Sequence, residues 1–122
     1  MRILYVEDNP ELRETIGMAM EGEGLTVVAC ATAEEALELD EREPFDVLVS
    51  DASLPGLSGT ELARRVLAKD PQRCVVICSG YELGHYPSHW GPNVRTLRKP
   101  FELEELESTL EAVKATLRSR AG

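Results

Sequence analysis

The sequence predicts a doubly wound α/β domain, and three observations carry that prediction. Short β-branched runs alternate with longer amphipathic stretches from one end of the chain to the other. Several of the short runs are continuously apolar, as strands covered on both faces must be. The stretches between them carry helix start signals in the places a crossover helix would need them.

The elements follow in order. Ile3-Leu4-Tyr5-Val6 is an unbroken apolar run ended by Glu7-Asp8. Asn9 suits an N-cap and Pro10 the first helical position, and Leu12, Ile16, Ala19 and Met20 mark one face up to Gly22 and Gly24. Leu25 to Ala29 reads as a second strand. Thr32 with Glu35 forms a capping box for a helix that buries Ala33, Ala36 and Leu37. Phe45 to Ser50 is the third strand, and Asp51 ends it. A Pro55-Gly56 turn leads to a second capping box, Ser58 with Glu61, and to a helix with Leu62, Val66 and Leu67 inside. Val75 to Cys78 is the fourth strand, stopping at Ser79-Gly80, and Val94 to Leu97 is a short fifth, closed by Lys99-Pro100. The last helix carries Leu103, Leu106, Leu110, Val113 and Leu117 on one stripe, with acids early and Lys114, Arg118 and Arg120 late, as the helix dipole favours.

One segment breaks the pattern. Between Ser79 and Lys99, where a fourth helix is due, Gly84, Pro87, Gly91 and Pro92 oppose helix, so an irregular or shortened fourth helix is expected. Five strands with four or five helices imply a parallel sheet joined by right-handed crossovers. Of the common orders, 2-1-3-4-5 fits the count and sets the topological switch between the first and third strands, where such sheets bind ligands.

Composition narrows the function. The 122 residues hold 13 Lys and Arg against 22 Asp and Glu, a formal charge of −9. That suits a single domain and disfavours nucleic acid or an anionic membrane surface as a partner. No apolar run reaches the roughly 18 residues of a spanning helix, and the start lacks a signal region, so a cytoplasmic location is expected. Cys30, Cys74 and Cys78 show no paired-ligand spacing and read as small buried hydrophobes. His85 and His89 are four apart, but Pro87 spoils the helix that zinc ligation would need. Gly22-Glu23-Gly24 lacks the third glycine of a dinucleotide loop and precedes a strand.

The informative feature is where polar groups fall. Glu7 and Asp8 follow the first strand, Asp51 the third, Ser79 the fourth and Lys99 the fifth. Singly, each has an ordinary explanation as a cap, a turn residue or a solvated charge. Jointly they meet in one crevice. Three close carboxylates repel one another unless compensated, and an oxygen-only donor set suits Mg²⁺ or Mn²⁺ rather than zinc. An Asp beside such a cation can attack a phosphoryl group, with Lys99 and the Ser79 hydroxyl available to phosphoryl oxygen. Asp51, alone on its loop beside Ala52 and Ser53, is the best placed.

These pieces resemble the receiver domains of two-component response regulators over essentially all 122 residues. The matching segments are Ile3 to Asn9, Asp46 to Gly59, Cys78 to Tyr81 and Arg98 to Phe101. The resemblance implies the flavodoxin-like receiver fold and an aspartyl phosphate formed on Asp51 from a phosphohistidine of a sensor kinase or phosphotransfer protein. It further implies Mg²⁺ held by Glu7, Asp8, Asp51 and the Ser53 backbone carbonyl, with Ser79 and Lys99 contacting the phosphoryl group. Self-catalysed phosphotransfer and autodephosphorylation would follow, without conventional enzyme activity.

The resemblance is incomplete in two places. Position 96, usually aromatic in the family, is Thr96, and residues 81–93 replace a helix of the usual output face. A monomer or weak dimer is therefore expected, with Tyr81, Tyr86 or Trp90 supplying an aromatic readout. Two other functions compete: a receiver-like interaction domain that works without phosphorylation, and a Mg²⁺-dependent phosphohydrolase with an aspartyl nucleophile. Haloacid-dehalogenase-like hydrolases carry a second Asp two residues after the nucleophile, where this chain has Ser53. The domain is expected to consume the whole chain and leave no output domain, so that its signal passes to a downstream protein. Most of the negative charge is solvated helix surface, since Glu34 to Asp46 alone holds seven acids.

Overall fold

A computed structural model describes residues 1–22, 24–80 and 91–121. Five parallel strands form one sheet in the order β2-β1-β3-β4-β5. They are β1 (Arg2–Val6), β2 (Thr26–Cys30), β3 (Val47–Asp51), β4 (Cys74–Ser79) and β5 (Val94–Arg98). Four helices connect or follow them: α1 (Pro10–Met20), α2 (Ala33–Arg42), α3 (Gly59–Lys69) and α4 (Leu103–Ala121). The strand order and the alternation are those the sequence predicts. The expected irregular helix, with Tyr81, His85, Tyr86, His89 and Trp90, lies outside the described residues.

Period-2 alternation divides the strands between two cores. Leu4, Val6, Leu48, Val75 and Ile77 pack with Ala33, Ala36, Leu62 and Val66 of α2 and α3. Ile3, Tyr5, Val47, Val49, Val76 and Cys78 face the other way, toward Met20, Leu106, Leu110 and Val113 of α1 and α4. The three cysteines are buried and unbonded, in keeping with their hydrophobic role.

The helix starts are built as their sequences require. Asn9 accepts the amides of Glu11 and Leu12, Thr32 that of Glu35, and Ser58 that of Glu61. Each cap satisfies donors that would otherwise lack a partner, a gain of about 1 kcal/mol.

Strand boundaries shift slightly. β2 begins one residue later than its apolar run because Leu25 bridges back to Gly22, its amide donating to the Gly22 carbonyl at 3.0 Å. β3 starts at Val47 because Asp46 turns its carboxylate to the Arg2 amide at 2.7 Å. β3 also extends through Asp51, which pairs in register with Cys78 and is thereby anchored at a strand end.

Candidate functional site

The carboxyl ends of β1, β3, β4 and β5 lie side by side, and the sheet order alone makes neighbours of residues far apart in the chain. Glu7 and Asp8 follow β1, and Asp51 is the last residue of β3. One carboxylate oxygen from each of the three lies within 4.8 Å of the other two. Lys99, just past β5, places Nζ 3.1 Å from Glu7 Oε1 and 3.2 Å from Asp51 Oδ2. Ser79 ends β4; it is 2% exposed, and its carbonyl accepts the Lys99 amide at 2.8 Å. The Lys99-Pro100 peptide is cis. Ser53 is exposed on the loop after Asp51 and makes no hydrogen bond to the acids among the described residues.

The surroundings differ for each acid. Glu7 is almost wholly buried, so its charge needs partners. It has Lys99 on Oε1 and the Asn9 amide on Oε2 at 3.2 Å. Asp51 is mostly covered and Asp8 is open to solvent. Burial by itself would lower the pKa of the Lys99 ammonium. The Glu7 hydrogen bond and the Asp51 and Glu7 charges outweigh burial and hold it above its ordinary value.

Several groups that shape the site carry no signal in the sequence pattern. Arg13 reaches back from α1 to donate to the Glu7 backbone carbonyl at 2.9 Å, fixing the turn that presents the first two acids. Gly59, the first residue of α3, packs so closely on β3 that an added Cβ would overlap the Asp51 carbonyl oxygen and lie 2.8 Å from Ser50 Oγ. A cavity of about 410 Å³ opens beside the acids, walled by Tyr5, Leu12, Ile16, Cys78 and Phe101. Burial, then the Glu7 charge, pushes the Tyr5 phenol well above its ordinary pKa. Burial likewise pushes the Cys78 thiol up to about 12. Among the described residues the groups close enough together to share a cation are Glu7, Asp8 and Asp51, so the cluster's side-chain donors are carboxylate oxygens.

Three carboxylates against one ammonium leave the site with net negative charge and exposed acceptor oxygens. That donor set fits a hard divalent cation such as Mg²⁺. An acidic cluster of Glu7, Asp8 and Asp51 at the topological switch of a 2-1-3-4-5 sheet, with Lys99 across from it, points to a receiver domain. Residues 3–111 match the response regulator receiver domain family. The chain belongs to that family, which serves two-component signalling.

Individual relatives agree. The response regulator receiver protein CpdR of Brucella abortus is 32% identical over 112 residues, covering 90% of this chain and 93% of CpdR. Two longer curated relatives are spanned over only 22% and 37% of their lengths, so the likeness there is confined to part of each. A CheY-like receiver domain protein of Methanospirillum hungatei superposes with a TM-score of 0.85 at 27% identity, covering 99% of this chain and 98% of that one. The response regulator TrrA of Thermotoga maritima, whose structure is a complex with Mg²⁺-BeF, gives 0.81 at 25% identity over 92% of this chain and 97% of TrrA.

Proposed function

We propose that this domain is a phosphoacceptor: Asp51 takes a phosphoryl group from a phosphohistidine on a sensor kinase or phosphotransfer protein, and the adduct changes the binding of a downstream protein. The observation that carries this reading is the Lys99 ammonium shared between Glu7 and Asp51, 3.1 and 3.2 Å away, inside a three-carboxylate cluster. A buried acid pair with its own counter-charge is ready to receive a phosphoryl group without leaving anionic oxygens unpaired.

In the transfer, a carboxylate oxygen of Asp51 attacks phosphorus, the P–N bond to the donor imidazole breaks, and the electron pair leaves with that nitrogen. Lys99 then exchanges its contact with Asp51 Oδ2 for a phosphoryl oxygen while keeping Glu7. The Ser79 hydroxyl donates to another phosphoryl oxygen. Glu7, Asp8, Asp51 and the Ser53 carbonyl would hold Mg²⁺, or Mn²⁺ with the same oxygen preference. Bound there, the cation neutralises charge on the transferring oxygens. Water attack on the same phosphorus would return Asp51 and inorganic phosphate.

The partners and setting follow from the same reading. The donor is a phosphohistidine protein of the cytoplasm, and the −9 charge argues against nucleic acid as a direct partner. Among the described residues no helix is long and apolar enough to cross a membrane.

A second reading has one observation in its favour. Thr96 stands on β5 opposite Ile77, where the family pattern has an aromatic ring. A domain that binds partners without being phosphorylated would not need that ring. Incubation with acetyl phosphate and Mg²⁺, followed by intact mass measurement, decides between the two. An acid-labile phosphoryl adduct is expected on the wild type and not on Asp51→Asn. Its absence from the wild type, even with a cognate donor, would sink the phosphoacceptor reading.

A further inference from the structure

The loop from Ala52 to Ser58 carries the Ser53 carbonyl, and few hydrogen bonds hold it. At its start the Ala52 amide donates to the Cys78 carbonyl at 2.8 Å. At its end the Gly59 amide returns to the Ala52 carbonyl at 2.9 Å. Leu54 packs into the core from its middle, and among the described residues the only hydrogen bond to that middle from another element is that of Glu34, 23 positions earlier in the first turn of α2. Glu34 Oε2 accepts the Leu57 amide at 3.2 Å. The same carboxylate lies against Gly56, where an added Cβ would stand 2.9 Å from Oε2. Gly56 holds φ at +75°, a conformation that favours glycine. The missing side chain is what lets the carboxylate approach.

We infer that Glu34 is a positioning residue for the cation site at Asp51. The inference rests on the cation reading given above and adds to it a residue from outside the acid cluster. Glu34 touches neither the acids nor the cation. Its part is to hold the loop in the shape that sets the Ser53 carbonyl, because Ser53 is exposed and no hydrogen bond ties it to another described residue. The support is stiff on the helix side, since Thr32 caps α2 by accepting the Glu35 amide at 3.1 Å. A carboxylate accepting a main-chain amide is a charge-assisted bond, stronger than the neutral version that water would offer.

Charge and tie can be separated by substitution. Glu34→Gln keeps an oxygen for the Leu57 amide and removes the charge, whereas Glu34→Ala removes both. Calorimetric titration with Mn²⁺ on the full chain is the readout, with Glu38→Ala as a control that removes an exposed charge of the same helix and Asp8→Asn as a control for the acid cluster. Affinity is expected to fall about three- to tenfold in Glu34→Ala, the range one lost hydrogen bond supports, and to stay within about twofold of wild type in Glu34→Gln. The Leu57 amide should also exchange its hydrogen faster in Glu34→Ala than in Glu34→Gln, a local change that general destabilisation would not confine to one loop.

Two results overturn the inference: equal weakening in Glu34→Gln and Glu34→Ala, which makes the effect one of charge alone, or wild-type affinity in Glu34→Ala while Asp8→Asn loses Mn²⁺. Failure of the wild type to bind Mn²⁺ would instead remove the cation reading itself, and this inference with it.

Discussion

Lys99 Nζ lies 3.1 Å from Glu7 Oε1 across 92 positions of sequence, and Glu7 is 3% exposed. The two charges define each other's state: the buried carboxylate is tolerable because the ammonium is there, and the ammonium is held above its ordinary pKa by that carboxylate and by Asp51.

Removing Lys99 should therefore move two properties in opposite directions. Lys99→Ala leaves Glu7 and Asp51 facing each other unpaired and should destabilise the fold by about 1–3 kcal/mol, below the figure for a fully buried pair because Lys99 is partly exposed. The same substitution makes the cluster more negative, so Mn²⁺ should bind more tightly. Urea denaturation without metal and a Mn²⁺ titration measure the two effects; a variant both less stable and weaker for Mn²⁺ would contradict the argument.

At the opposite end of the sheet Arg73 and Asp40 form a buried pair at 2.7 Å, and Asp40 also accepts the Phe45 amide at 3.1 Å. Arg73→Ala strands a buried carboxylate and should cost about 3–5 kcal/mol. Arg64→Ala breaks only an exposed pair with Glu61 and should cost less than about 1 kcal/mol. Chemical denaturation of the two variants in parallel tests the contrast.

The thiols set an alkaline limit. Burial pushes Cys30 and Cys78 up to about 12, above the 9.0 of a free thiol. A raised folded-state value means the unfolded chain ionises first, so the stability from these groups is complete below pH 9 and is lost as pH rises toward 12. Native protein at pH 8 should react slowly with a thiol reagent and release all three thiols on denaturation. Thermal midpoints should fall between pH 9 and 11, and less so in Cys30→Ala.

What the sequence made legible was local pattern. The apolar runs located every strand, and Asn9, Thr32 and Ser58 cap the helices they were expected to cap. Glu7, Asp8, Asp51 and Lys99 were visible as polar groups where apolar runs stop, and the sheet order then brings them together. Contacts with no local signature were not legible. Nothing near Asp40 announces Arg73, 33 positions away, nor does anything near Glu34 announce the Leu57 amide. Asp46 reads as a residue of the third strand, yet it lies just before it and its carboxylate replaces a ladder acceptor for Arg2.

The seat of Gly59 on Asp51 sets how freely this sequence can vary. In α1, a methyl group added at Gly17 would have no atom within 4 Å, and alanine there should be accepted, even welcomed by the helix. At Gly59 the same methyl would occupy the space of the Asp51 carbonyl oxygen. The two glycines thus stand at opposite extremes of mutational tolerance, and drift at position 59 is closed off by a main-chain atom that no side-chain substitution elsewhere can trim away.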